Sequence, residues 1–98
     1  MPIGRPELMA KARAITISIQ KMTKDERRGS PAGNYGEDYN RLRTAALKAY
    51  PDLEPLMPPA VVIESSASYG HPFTRQSFAE IDTFCEQIYQ LLNEQPGA

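Results

Sequence analysis

Apolar residues recur along the chain in three stretches with helical spacing. In the first, Leu8, Ala12, Ile15, Ile19 and Met22 are spaced four, three, four, three, which places all five on one helical face. Pro6 suits a first helical position, where its missing N–H costs nothing. Glu7 favours the same, positive end of the helix dipole. A helix over about 6–23 is expected. Ile15, Ile17 and Ile19 also alternate as a strand would, but that alternation covers three positions and the helical pattern five.

The second stretch is Tyr35, Tyr39, Leu42, Ala46 and Ala49, with the same spacing. Asn34 and Glu37 stand three apart, the separation of an N-cap and its capping partner. Pro51 ends the pattern, so a helix over about 35–50 is expected. The third stretch is Phe78, Ile81, Cys85, Ile88 and Leu92, widened by Phe84, Tyr89 and Leu91. Thr74 or Ser77 can cap it, and Ser77 with Glu80 matches a capping box. Gln95-Pro96-Gly97 terminates it, giving a helix over about 74–94. So wide a stripe marks the most buried helix, seated between the other two or sharing part of its face with a second subunit.

The connections are polar or rich in proline. Asp25–Gly33 reads as a loop. Pro51–Pro59 reads as a stiff connector in which Asp52 can cap a single turn through Met57. Residues 60–64 read as a short extended segment, too brief to form a sheet by itself, and Glu64–Pro72 as a second loop. The expected fold is therefore all-α: a small three-helix bundle forming one domain over 1–98, with flexible ends at 1–4 and 95–98.

Size and composition change this little. Ninety-eight residues make one domain with one modest core. The longest apolar run, Ala60–Ile63, stops at Glu64, far short of the roughly 20 residues that span a bilayer. Met1–Pro6 lacks the apolar stretch of a secretory signal. Cys85 is the single cysteine, so no intrachain disulfide can form. A cytoplasmic location is the expectation.

Charge changes it more. The net charge of −1 conceals a split: residues 1–50 hold ten basic and five acidic side chains, and residues 51–98 hold one basic and seven acidic. At 100° per residue, Arg13, Lys21 and Lys24 lie opposite the first apolar stripe, and Arg28 joins them if that helix continues. Glu80, Asp82, Glu86 and Glu94 form an acidic side on the third helix. Three readings follow, in order of preference. The faces are solvated and favour neighbouring packing of the two helices. Opposite patches steer contact with a protein partner or a second copy. The basic half binds nucleic acid or another polyanion. Against the third stand an isoelectric point near 5.8 and the lack of a recognition motif or stacking platform.

Reactive residue types are few. His71 and Cys85 are the sole members of their types, and Cys85 falls inside an apolar stripe, where a thiol behaves as a small hydrophobe. No cluster has metal-ligand spacing, and no glycine pattern suits a phosphate. No cofactor is expected. One segment concentrates polar chemistry: the loop through Ser65–Pro72 that leads to the third helix. His71, Thr74 and Arg75 lie at or beside that helix N-terminus, where free N–H groups attract anions. They form a candidate contact for a small anion or ligand, whose ordinary alternative is a capped loop. The expected function is a small interaction or assembly module with no catalysis of its own, with polyanion binding by Arg13, Lys21, Lys24 and Arg28 as the alternative.

Overall fold

A computed structural model describes residues 4–29, 31–65 and 72–95. The fold is all-α around one core. Helix α1 spans Arg5–Gln20, α2 Lys24–Arg28 and α3 Gly33–Ala49. A 3-10 turn covers Pro51–Leu56, strands β1 (Ile63–Glu64) and β2 (Phe73–Thr74) follow, and α4 spans Phe78–Asn93.

Two expectations about α1 and its sequel are corrected. The helix stops at Gln20, not near 23, because Thr23 starts a new element. Its hydroxyl accepts from the Glu26 backbone N–H while the Glu26 carboxylate accepts from the Thr23 N–H, both at 3.2 Å. This capping box turns part of the expected loop over Asp25–Gly33 into α2, a helix with no buried residue. Within α1 the buried face is Leu8, Ala12, Thr16 and Ile19. Thr16 joins the core, with its hydroxyl satisfied inside the helix by donating to the Arg13 carbonyl at 2.9 Å, and Ile15 packs partly buried against that core.

Helix α1 runs antiparallel to α4. Arg5 at its start donates to the Gln95 carbonyl at 2.8 Å, and Arg13 in its middle lies beside Glu86 and Tyr89. It also runs antiparallel to α3, where the Ser18 and Tyr35 hydroxyls share a 2.7 Å hydrogen bond. Helices α3 and α4 therefore run parallel, with Tyr35 meeting Phe78 edge to face at 5.2 Å between ring centres and Tyr39 packing on Phe84 at 5.8 Å. Parallel neighbours need a crossover, and residues 50–77 supply it. Ile81, Cys85, Ile88 and Leu92 of the α4 stripe are wholly buried, in one core with Leu8, Ala12, Tyr39 and Ala46. Each large aliphatic there contributes roughly 1.5–3 kcal/mol by leaving water.

The crossover is pinned to α3 by side chains that replace missing backbone partners. Tyr39 is fully buried and donates its hydroxyl to the Pro59 carbonyl at 2.8 Å. Arg43 Nε donates to the Pro58 carbonyl at 2.7 Å. Asn40 pairs with Val61 twice, accepting from its N–H at 2.9 Å and donating to its carbonyl at 3.0 Å, as a neighbouring strand would. The extended segment expected at 60–64 thus pairs inside its own chain, with Ile63 opposite Thr74 and Glu64 opposite Phe73. The single turn expected in the connector exists as the 3-10 turn, whose N-cap is Tyr50 and which has no side-chain cap from Asp52.

The starts of α3 and α4 also differ from expectation. Helix α3 begins at Gly33 with Ala32 at its N-cap, and no side-chain cap is made there. The Asn34–Glu37 pair is not used because the chain is already helical at Asn34. Helix α4 begins at Phe78, with Ser77 and Glu80 forming the expected box. Thr74 is outside it, in β2. At the ends, the Gly4 carbonyl accepts from Leu8 at 3.1 Å and the Gln95 carbonyl from Arg5. The rest of both segments expected to be flexible lies outside the described residues.

Candidate functional site

Of the three residues expected to hold an anion, Thr74 and Arg75 fall within the described residues. His71 lies outside the described residues. Thr74 is wholly buried. Its hydroxyl accepts from the Gly36 N–H at 3.2 Å and donates to the Ala32 carbonyl at 2.9 Å. In an ordinary helix the Gly36 N–H would bond the Ala32 carbonyl itself, so Thr74 is inserted into the first intrahelical bond of α3. The Gly33 N–H donates to the Pro72 carbonyl at 3.2 Å. Strand β2 therefore caps α3 from outside, which accounts for the absent side-chain cap at Ala32. Arg75 stays exposed with its Nε 3.8 Å from Glu64, and its backbone N–H donates to the Val62 carbonyl at 2.8 Å.

Sequence reasoning missed this clasp, although Gly33 and Gly36 carried a signal of it. A Cβ at Gly36 would stand 2.6 Å from Thr74 Oγ1, and one at Gly33 would stand 3.0 Å from the Pro72 Cβ. Helix and strand approach too closely there for any side chain.

The expected basic face is divided. Arg13 lies with its guanidinium 4.2 Å from the centre of the Tyr89 ring and 3.9 Å from Glu86, so it is engaged by α4. Lys21 closes α1, and the chain turns before Lys24. Arg28 belongs to α2, 3.8 Å from Asp25. Lys21, Lys24 and Arg28 are exposed, but on separate elements, not one helix.

Cys85 is wholly buried. Burial, then the nearby Asp82 and Glu86 carboxylates, push its thiol up to about 12, so it is protonated at neutral pH. Burial likewise raises Asp82, with Glu86 adding to the rise and Arg27 opposing it. One Asp82 oxygen is buried with no hydrogen-bond partner. Among the described residues no group of three or more His, Cys, Asp or Glu is placed to hold a metal. Among the described residues no helix is long and apolar enough to cross a membrane.

Among the described residues, two open grooves of similar size stand out. One, of about 490 Å³, runs between α1 and α3, with Ala14, Ile15, Leu42 and Ala45 as its apolar lining and Lys11, Asp38 and Arg41 as its charged residues. Its charges are of both signs, and Arg41 already pairs with Asp38 at 3.6 Å. The other, of about 480 Å³, lies on α4 beside the 3-10 turn. Leu56 and Leu91 supply its apolar surface, and its charged residues, Glu86 and Glu94, are both acidic. Comparison with protein-family models, curated proteins and solved structures finds no match.

Proposed function

We propose that this chain is a small helical interaction module that performs no chemistry of its own and acts by docking to protein. The observation that carries the reading is Leu56, which stands 67% exposed on the 3-10 turn at the α4 groove. A side chain of this size gains most from leaving water, and here it borders a concave surface edged by glutamates and glutamines. The groups with reactive potential point the other way. Cys85 is a buried thiol, and the Thr74 hydroxyl is consumed in holding α3. A cytoplasmic setting suits a chain whose one cysteine is free and buried. Polyanion binding draws on the exposed Lys21 and Lys24, but Asp25 and Glu26 stand between them and Arg28, so the docking reading is preferred.

Site-specific photo-crosslinking in the native cell tests it. A photoreactive residue at position 56 should give a covalent adduct with protein, and the same residue at exposed Thr44 should not. Absence of any protein adduct at position 56, with the variant folded, would overturn the reading.

A further inference from the structure

Among the described residues, Ile17, Leu56 and Val62 are the large apolar side chains left exposed. Val62 belongs to the crossover, where its N–H donates to Gln76 and its carbonyl accepts from Arg75. Ile17 and Leu56 sit on surfaces of opposite charge. One helical turn before and after Ile17 stand Arg13 and Lys21, and the same outward side of α1 carries the small exposed residues Ala10 and Ala14. The helix face around Ile17 is thus a low apolar ridge with basic flanks. Leu56 and Leu91 form an apolar hollow flanked by Glu86 and Glu94, and Asp52 and Glu54 precede Leu56 on the same turn.

We infer that these surfaces are two halves of one interface. The Ile17 ridge of one copy seats in the Leu56–Leu91 groove of a second copy, with Lys21 of the first against Glu94 of the second. The inference rests on the docking reading and names the partner as another copy of this chain. Charge complementarity selects that occupant: the groove has acidic charges alone, and the ridge brings an apolar anchor of matching scale between cations. Arg13 does not exhaust Glu86, because the pair is 3.9 Å apart and both side chains remain over two-fifths exposed. Ridge and groove are different patches, so two copies either pair reciprocally, each ridge in the other's groove, or join head to tail into a ring or an open chain.

Sedimentation of the full chain tests this directly. At low salt the weight-average mass should rise with concentration beyond that of one chain. Raising salt to about 0.5 M shortens the screening length to a few ångströms and should weaken association about tenfold or more. Lys21→Glu and Glu94→Lys, both at exposed positions, should each lose association while keeping the helical circular dichroism of the parent. An equimolar mixture of the two should regain it, since Lys21 then faces Glu94 in one contact and the two reversed charges face each other in the next. A species that stays monomeric at low salt overturns the inference, as does association indifferent to salt and to both reversals, or a mixture that does not associate. A monomer that still crosslinks at position 56 to a different protein refutes self-association alone. Loss of all adducts refutes the docking reading itself.

Discussion

Thr74 and Gly36 show how one side chain and one missing side chain define a joint. The Thr74 hydroxyl links the Gly36 N–H to the Ala32 carbonyl. That link forms only because Gly36 lets β2 come within contact of α3. Gly36→Ala would normally gain about 1 kcal/mol of helix propensity. Here the added methyl meets Thr74 Oγ1 at 2.6 Å and Ile63 Cγ1 at 3.1 Å. Thr74 cannot swing aside without losing the hydrogen bonds to Gly36 and Ala32, so overpacking of about 1–3 kcal/mol should outweigh the gain. Urea denaturation should show Gly36→Ala destabilised. Gly29→Ala, whose Cβ meets nothing closer than 3.7 Å, should be neutral or slightly stabilised. Thr74→Val should lose about 1–3 kcal/mol by leaving a buried donor without its partner. If Gly36→Ala is as stable as the parent, the close approach of β2 to α3 is wrong.

Capping separates the elements that hold the molecule from those that ride on it. Ser77 and Thr23 make the same kind of box, yet α4 carries the centre of the core and α2 buries nothing. Ser77→Ala should cost about 1 kcal/mol of global stability, or a fall of roughly 4–8 °C in Tm for a domain of this size. Thr23→Ala should leave Tm nearly unchanged while hastening amide exchange within 24–28, because α2 opens locally. Equal falls in Tm for both would show that α2 is integral to the fold. The same contrast explains what could be read in advance. The three long helices were legible because their stripes run over four or more turns, and the Ser77–Glu80 box announced the true start of α4. Helix α2 was hidden because a five-residue element with no buried residue has no periodicity to detect, although Thr23 and Glu26 bore the capping spacing. The start of α3 was misplaced for a different reason. Its cap comes from Thr74, 42 residues from Ala32, and no local pattern encodes a partner so distant. For the same reason the sequence does not show that the Thr74 hydroxyl is committed to Gly36 and Ala32.

At the scale of the whole molecule, the split of charge along the chain becomes partly a feature of its packing. Antiparallel α1 and α4 bring Arg13 to Glu86 and Tyr89, and α2 sets Arg27 near Asp82. Part of the asymmetry is therefore met inside one chain, as neighbouring solvated faces would require, while Lys21 and Glu94 stay exposed. The internal pairing is imperfect at Asp82. Its carboxylate is desolvated, shares α4 with Glu86 one turn on, and has one oxygen without a partner. Desolvation first, and Glu86 second, raise its folded-state pKa above the ordinary 3.8, and the Arg27 charge offsets only part of this. The sign follows from proton counting. Between the unfolded and the raised folded pKa the native state binds more protons, so stability increases as pH falls through that window. Above the window the charged form carries its full penalty, and below it the penalty is gone. The urea midpoint of the parent should therefore rise on acidification from neutral pH relative to that of Asp82→Asn, which lacks the titrating charge. The difference between the two curves should level off once pH is below the unfolded carboxylate value. Parallel curves would mean that the Asp82 carboxylate is solvated in the folded chain.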